Sequence, residues 1–289
     1  MDHTELKPGD VIKRHRLSTR LWHWTNALTL LVMLMSGLMI FNAHARLYWG
    51  DYGANDDKAW LIIDDAGDTG FVEIAGVRVE TTGVLGIWKN SEGEIKRRAF
   101  PHWVTIPSAY DLQAARRWHF TFAWILAVAL TLYMARSLWN GHVRKDLHIR
   151  KREWSPRHIL HDIKEHARLR FPTGAAAKDY NILQKLSYIG VIFVLLPLII
   201  FTGLTMSPAM NAAWPWLLDI FGGRQSARSL HFIAAFGLVG FFFVHITMVV
   251  LAGPINELRS MITGKYRLPG KVEPSFEPQA PQAPQGEPA

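Results

Sequence analysis

The chain has 289 residues, of which 49% are hydrophobic, and it carries a formal net charge of +8. It contains no cysteine, which excludes iron–sulfur ligation, thiolate-ligated haem, disulfides and haem attached through a C-x-x-C-H motif. The apolar residues are concentrated in separate stretches, and basic residues cluster beside them. We therefore expect a lipid bilayer as a partner and no nucleic acid.

Four apolar stretches are long enough to cross a bilayer core of about 30 Å. The first is too long for the core of a typical signal peptide, so we expect it to be retained as a span. The pattern predicts an all-α membrane protein built on a four-helix transmembrane bundle. The predicted order is an N-terminal tail (1–20), a first span (21–41), a loop subdomain (42–115), a second span (116–139), a basic loop (140–180), a third span (181–206), a short loop (207–229), a fourth span (230–252) and a C-terminal tail (253–289).

Charge is distributed unevenly between the loops. The loop 140–180 and the N-terminal tail are rich in Lys and Arg, whereas the first half of the loop 42–115 is acidic. The positive-inside rule therefore places both termini and the basic loop in the cytoplasm and the loop 42–115 outside, which is the periplasm if the protein lies in a bacterial inner membrane. Helical spacing after Ser155-Pro156 predicts an amphipathic helix near the inner leaflet. The proline-rich end of the C-terminal tail predicts disorder.

The periplasmic loop contains strand patterns. FVEI and VRVE alternate around Ala75-Gly76 and predict a β-hairpin, and GIWKNSEGEIKRR predicts a second one. The loop is therefore expected to form a small β-containing subdomain. Three basic residues are followed by three aromatic ones, a combination suited to docking a soluble redox partner. These residues are Lys96, Arg97, Arg98, Phe100, Trp103 and Tyr110. The alternative is a subdomain that only caps the bundle.

Four histidines lie within or at the ends of the predicted spans. His231 and His245 are fourteen residues apart, so on a helix they are separated by about 21 Å along the axis and about 40° around it. His23 begins the first span on the cytoplasmic side, and His119 begins the second span on the opposite side. The depths pair His119 with His231 and His23 with His245. Imidazoles are unfavourable in hydrocarbon unless paired or ligating, so two haem b groups are predicted.

Short motifs repeat between the two halves of the predicted bundle. Ser36-Gly37-Leu38 is echoed by Thr202-Gly203-Leu204, and Arg116-x-x-His119 is echoed by Arg228-x-x-His231. The glycines either leave room for a porphyrin or allow close helix packing. The third span has no histidine and is predicted only to pack. Four arginines lie within one turn of a proposed ligand, where they either pair with haem propionates or extend to the interface. They are Arg20, Arg116, Arg117 and Arg228.

This histidine pattern resembles that of the di-haem cytochrome b subunits of the nickel–iron hydrogenase, formate dehydrogenase gamma and thiosulfate reductase type. In that bacterial family the first and second spans carry one histidine each, and the fourth carries two separated by fourteen residues. The matching positions here are His23, His119, His231 and His245, and the resemblance covers roughly residues 14–42, 116–140 and 181–264.

The resemblance implies electron transfer between membrane quinone and a periplasmic redox protein, of the form found beside a molybdopterin oxidoreductase. It also implies a quinone site near the cytoplasmic haem, where Asn181, Gln184 and Lys185 could donate a hydrogen bond. Two alternatives remain. One is a self-sufficient haem–quinone oxidoreductase acting on a small species such as superoxide. The other is a haem-free transporter or membrane anchor, which would leave four intramembrane histidines without ligands.

Overall fold

The computed structural model describes residues 9–139, Leu160 and residues 182–268. The predicted amphipathic helix in the basic loop and the predicted disordered end of the C-terminal tail lie outside these residues. Within them, four helices are long and apolar enough to cross a membrane: Leu17–Phe41, Leu112–Trp139, Lys185–Met206 and Arg224–Ala252. They are called the first to fourth spans.

Three spans begin earlier than the apolar pattern indicates. They start at Leu17, Leu112 and Arg224 rather than at residues 21, 116 and 230. The reason is that polar and basic residues at a membrane interface can continue a helix while their charged ends reach water. Hydropathy marks where the hydrocarbon begins, whereas the backbone hydrogen bonds mark where the helix begins.

The third span changes its helical geometry along its length. An α-helix at Ile182–Ile189 is followed by a π-helical stretch, Gly190–Leu195, and then by an α-helix at Leu196–Met206. Pro197 lies just after the wide stretch, and a proline has no N–H to donate and crowds the carbonyl four residues earlier. That carbonyl belongs to Phe193, inside the π-helical stretch, so the wider turn accommodates the proline.

All four spans contribute to one apolar core. Its buried members are Met33, Leu126, Leu130, Leu196, Ile199, Ala234 and Leu238. The first span also packs on the second through Trp22 and Tyr133, whose rings stack at 4.6 Å. Large apolar side chains on the opposite helix faces are exposed, as on a surface that meets lipid; they include Leu28, Leu31, Leu132, Phe242 and Phe243.

The loop between the first and second spans forms the predicted β-containing subdomain. Strands β2 (Arg46–Leu47), β3 (Leu61–Ala66), β4 (Thr69–Ile74) and β5 (Val77–Glu80) form an antiparallel sheet in that order. Strands β6 (Gly86–Lys89) and β7 (Ile95–Arg98) form a separate hairpin. Both predicted hairpins are confirmed. Ala75 and Gly76 both have positive φ, as a tight two-residue hairpin turn requires.

The subdomain is packed onto the end of the bundle. A second apolar cluster joins Phe41, at the end of the first span, to Leu47, Leu61, Ile63, Ala99 and Phe100 of the loop. Trp60 donates from its indole nitrogen to Ser229 Oγ of the fourth span at 2.9 Å. The carbonyl of Gly50 accepts from the backbone N–H groups of Gln225 and Ser226. It thereby satisfies donors that the start of the fourth span leaves free.

The opposite end of the bundle is covered by a small cap made from both ends of the described chain. Strand β1 (Val11–Lys13) pairs antiparallel with β8 (Lys265–Arg267), and the helix Pro254–Thr263 precedes β8. Arg14 forms an ion pair of 2.9 Å with Glu257 of this helix. The sequence predicts only tails here, because three-residue strands show no usable periodicity. We call this unit the terminal cap.

Candidate haem sites

The structure brings the four span histidines together in two pairs. His119 and His231 face each other near the loop subdomain, with ring centroids 6.2 Å apart and ring planes inclined by 57°. His23 and His245 face each other near the terminal cap at the same 6.2 Å, with an angle of 55°. We call them the loop-side pair and the cap-side pair. Because His231 and His245 share one helix, the pairs lie about 21 Å apart in depth.

The spacing within each pair fits one metal ion between two imidazoles. A metal–imidazole bond is about 2.0 Å, and the ring nitrogen lies about 1.1 Å from the ring centre, so two such bonds in line separate the centres by about 6.2 Å. Two bonds to imidazole occupy both axial positions of a haem iron.

The loop-side pair is held in a defined tautomer. Nδ1 of His119 lies 3.1 Å from the carbonyl oxygen of Met33 and 3.2 Å from Oγ of Ser36. The Ser36 hydroxyl donates to the carbonyl of Val32 at 2.7 Å, so its oxygen acts as an acceptor toward the ring. Nδ1 must therefore carry the proton, and the lone pair of Nε2 is free to bind a metal.

His231 has the same environment on the third span. Its Nδ1 lies 3.1 Å from Oγ1 of Thr202, and the Thr202 hydroxyl donates to the carbonyl of Leu198 at 2.6 Å. The ring of His231 is also hydrogen-bonded to the backbone of Ile199. Ile199 and Thr202 thus repeat the positions of Met33 and Ser36. The third span is more than the packing helix that its lack of histidine predicted.

Two glycines make room for the rings. A Cβ atom on Gly37 would lie 3.3 Å from Cε1 of His119, and a Cβ atom on Gly203 would lie 3.3 Å from Cε1 of His231. Such a contact is closer than ordinary van der Waals packing. Each glycine therefore clears the imidazole of a facing helix, which is a form of the close helix packing expected from the sequence. Clearance for a porphyrin stays a prediction.

The cap-side pair is surrounded by aromatic side chains. Phe241 stacks on His245 at 5.7 Å with an angle of 15°, and Trp24 meets His23 edge-on at 5.0 Å. Among the described residues, buried Nδ1 of His23 has no hydrogen-bond partner, so its tautomer is not fixed as it is in the loop-side pair.

An apolar groove of about 370 Å³ adjoins the cap-side pair. It is lined by Ser187, Gly190, Val191, Val194 and Leu195 of the third span and by Phe241 of the fourth. A Cβ atom on Gly190 would meet nothing within 4 Å. The π-helical stretch therefore opens a space between two spans beside His245.

The predicted propionate arginines have different surroundings. Arg228 donates to the carbonyl of Arg46 at 3.0 Å and to that of His44, so it anchors the loop to the fourth span. Arg20 donates to the carbonyl of Ile262 and ties the first span to the terminal cap. Arg116 and Arg117 are exposed near the loop-side end. Sequence proximity to a histidine did not reveal these backbone partners.

Of the residues predicted for quinone, Lys185 lies at the cap-side start of the third span. Lys185 is buried there, with 8% of its surface exposed. Asn181 and the side chain of Gln184 lie outside the described residues. The groove beside Phe241 and Val194 was not anticipated, since only the π-helical geometry creates it.

Four membrane helices that hold two facing imidazole pairs at two depths have the architecture of a membrane cytochrome. The chain belongs to the prokaryotic cytochrome b561 family, whose family model matches residues 14–264. This confirms the family that the histidine spacing indicated. Membership implies haem b and a role in electron transfer within a bacterial membrane.

Two relatives differ in their identity to this chain and in how much of it they match. The chain is 30% identical over 153 residues to a putative protein-methionine-sulfoxide reductase subunit, YedZ1, of Azospira oryzae; the match covers 53% of this chain and 72% of that protein. It is 25% identical over 265 residues to the putative cytochrome YdhU of Escherichia coli, covering 90% of this chain and 76% of that protein.

Proposed function

We propose that the protein is a di-haem cytochrome b that passes electrons across the membrane between a quinone and a periplasmic redox protein. The observation that carries this proposal is the pair of 6.2 Å imidazole spacings at two depths. Haem b, when bound, supplies one-electron chemistry. The residues of the chain supply ligation, orientation and tuning of the potential.

The histidines have defined roles in this proposal. His119 and His231 hold one haem, with Nδ1–H groups bound to acceptors on the first and third spans, and His23 and His245 hold the other. With histidines as both ligands, each haem would supply outer-sphere electron transfer rather than a metal position for a substrate. The reaction of superoxide is also such a transfer, so the self-sufficient oxidoreductase stays the second candidate. Membership in a cytochrome family argues against a haem-free transporter.

The proposed quinone site lies at the cap side. Val194, in the wall of the groove, is 54% exposed, so the groove opens toward lipid. An apolar quinone tail could lie there while the ring approaches the start of the third span. Lys185, together with Asn181 and Gln184, remains the proposed source of a hydrogen bond to a quinone carbonyl.

The proposed partner site lies on the loop side. Trp103 is 67% exposed, and Ile106, three residues later, donates its N–H to the carbonyl of Met35 at 3.2 Å. Met35 directly precedes Ser36, which contacts His119. A redox protein resting on Trp103 would therefore be close to the loop-side pair.

The remaining residues of the predicted docking set are largely engaged. Phe100 is buried in the loop core, and Arg98 lies over the ring of Tyr110 at 4.0 Å. Lys96 pairs with Glu94, and Arg97 pairs with Asp65. The prediction that Phe100 is an exposed anchor was therefore wrong, because its ring packs against the ring of Phe41. Trp103 is the aromatic residue of the set best placed for a partner.

The name of the Azospira oryzae relative, which describes a reductase subunit, supports a partner that is itself an oxidoreductase. The resemblance to subunits of molybdopterin enzymes points to the same kind of partner. We propose that both termini are cytoplasmic and that the loop subdomain is periplasmic, as the distribution of Lys and Arg indicates.

The central test is reduction of the purified chain, in lipid nanodiscs, by a soluble quinol. We expect a b-type optical spectrum and two haems per chain by pyridine haemochrome assay, both reducible by quinol. A chain with no haem, or with haem that quinol does not reduce, would overturn the proposal.

The partner site is tested with a photo-crosslinking amino acid at position 103 in living cells. We expect an adduct with a periplasmic redox protein, identified by mass spectrometry. The matched control is position 52, because Tyr52 is also an exposed loop aromatic, at 86%. Deletion of a whole strand is unsuitable, since β3 packs on the end of the first span. Adducts from both positions, or from neither, would contradict docking at Trp103.

A further inference from the structure

The sheet of the loop subdomain has one apolar face that extends beyond the bundle. Residues directly paired across antiparallel strands project to the same face. From β2 to β5, one row on this face is Leu47, Leu61, Ile74 and Val77, and the next is Ile63, Val72 and Val79. Every residue in both rows is apolar, although the outer strand β5 is exposed at each of its positions.

Burial along these rows falls steeply with distance from the bundle. Leu47 and Leu61 are 0% and 6% exposed, whereas Ile74 and Val77 are 50% and 68% exposed. The first two pack with Phe41, at the end of the first span. The face is therefore a continuous apolar surface that covers the span ends and then projects past them.

The other face of the same strands carries mostly polar side chains, with the apolar Ile62 and Phe71 among them. Arg78 forms an ion pair of 2.8 Å with Glu73 and lies over the ring of Phe71 at 3.8 Å. A soluble protein that approached from the aqueous side would meet this face. The apolar face is turned toward the span ends, which is the direction in which the bilayer lies.

Aromatic residues typical of a membrane interface adjoin the projecting edge. Ala75, in the β4–β5 turn, donates its N–H to the carbonyl of Trp60 at 2.7 Å. Trp49 stacks on Trp60 at 5.8 Å and is itself 54% exposed. Because Trp60 is bonded to Ser229 of the fourth span, this tryptophan pair lies at the level where that span leaves the membrane, and tryptophan is enriched at that level.

We propose that the β4–β5 hairpin is an interfacial anchor, in which Ile74, Val77 and Val79 lie in the headgroup region of the bilayer. The occupant of the face is lipid, since the apolar surface continues that of the lipid-exposed spans and ends beside interfacial tryptophans. The contact would hold the subdomain at a fixed height above the loop-side histidine pair. This contact between the hairpin and lipid requires neither haem nor quinone.

The absence of cysteine from the chain allows a direct test. Single variants Val77→Cys and Val79→Cys are labelled with the fluorophore NBD and placed in nanodiscs that contain one chain each. Glu80→Cys is the matched control, because Glu80 is exposed on the same strand but projects to the polar face. Substitution at these exposed positions is expected to leave the fold intact, which a monodisperse size-exclusion profile checks.

With lipids that carry a nitroxide near the headgroup, we expect quenching at positions 77 and 79 to be at least about twofold stronger than at position 80, as for side chains buried about 5–10 Å into the interface. Iodide in the aqueous phase should give the reverse order. Equal quenching at all three positions would overturn the proposal. Protection of positions 77 and 79 only in discs with two chains would also overturn it and indicate a second copy as the occupant.

Discussion

Thr202 Oγ1 lies 3.1 Å from Nδ1 of His231, and this contact brings the third span into a site to which it contributes no ligand. The first span does the same for His119 through Ser36. In each half of the bundle, one helix carries the histidine and its neighbour orients the ring. The two halves are therefore equivalent in chemistry as well as in sequence motif.

Removing the Thr202 hydroxyl should change the potential of the loop-side haem. An acceptor at Nδ1–H makes the imidazole a stronger donor to iron and favours the oxidised state. In Thr202→Val, where the backbone of Ile199 remains, we expect a rise of up to about 40 mV, the equivalent of one hydrogen bond of about 1 kcal/mol. A spectroelectrochemical titration measures it.

The matched control is Thr205→Val. Thr205 is as fully buried as Thr202, and among the described residues its hydroxyl bonds only to the carbonyl of Phe201, at 2.8 Å. Its loss should leave both potentials unchanged. An equal shift in the two variants would show that the Thr202 hydroxyl acts through packing rather than through His231.

Alanine at Gly203 or Gly37 should disturb the loop-side haem alone. The new methyl group would lie 3.3 Å from a histidine Cε1, so the ring must tilt away from its axial position. Alanine otherwise favours a helix over glycine by about 1 kcal/mol. We therefore expect a folded protein whose loop-side haem is lost or altered in its low-spin electron paramagnetic resonance signal.

Gly237→Ala serves as the control for this experiment. A Cβ atom there would make ordinary contact with Leu195 at 3.5 Å. This variant should keep both haem signals. If it changed the loop-side signal as much as Gly203→Ala does, ring clearance would not explain the glycines.

The sequence was sufficient to predict the spans, the histidine pairs and the β-hairpins, because each has a strong local signature. Apolar length reveals a span, and a spacing of fourteen places His231 and His245 on one helix face. In the sequence, Thr202 was visible only as the residue that matches Ser36 in the repeated motif, and no role could be assigned to it. A hydroxyl contact across helices depends on their rotation, which hydrophobic periodicity does not specify in a bundle that is apolar on most sides.

Other features were beyond the reach of the sequence for similar reasons. Arg228 follows the interfacial pattern of a propionate ligand, yet its partners are carbonyls that only the folded loop presents. Phe100 follows three consecutive basic residues and precedes Trp103, yet it is buried against Phe41. In both cases the tertiary contact is one that the local sequence does not show.

Removal of single histidines should show that the haems are independent. His231→Ala and His119→Ala are each expected to lose the same haem, and His245→Ala and His23→Ala the other, so each variant should hold one haem instead of two. Pyridine haemochrome assays give the number, and low-temperature spectra identify the one that remains. His102→Ala, in the loop, is the control and should keep two. Loss of the same haem from His231→Ala and His245→Ala would disprove the pairing.

The orientation of the chain in the membrane can be tested with single-cysteine variants, because the natural chain has no cysteine. Tyr52→Cys lies in the loop subdomain and Ile255→Cys in the terminal cap, and the native residues are 86% and 85% exposed. We expect a membrane-impermeant maleimide to label position 52 in spheroplasts and position 255 only after lysis, as the positive-inside rule requires. The opposite order would place the loop subdomain in the cytoplasm and overturn the proposed periplasmic partner site.

Acid should loosen the terminal cap through His15. Burial lowers the pKa of this histidine from 6.5 to about 4, with help from the positive charges of Arg14 and Arg20 and from His23. The folded cap therefore favours the neutral ring. Above pH 6.5 the ring is neutral in both folded and unfolded chains, so the full stability is present there. As the pH falls from 6.5 toward 4, only the unfolded chain takes up the proton, and stability is lost.

Because the ring is partly exposed, we expect the loss to be about 1 kcal/mol rather than the full value of the shift. Hydrogen exchange in β1 and β8 should accelerate over this pH window, after correction for the intrinsic pH dependence of exchange. His15→Gln, which has no titrating group, should show a flat response. If the wild-type protein and this variant changed in parallel, protonation of another group would have to control the cap.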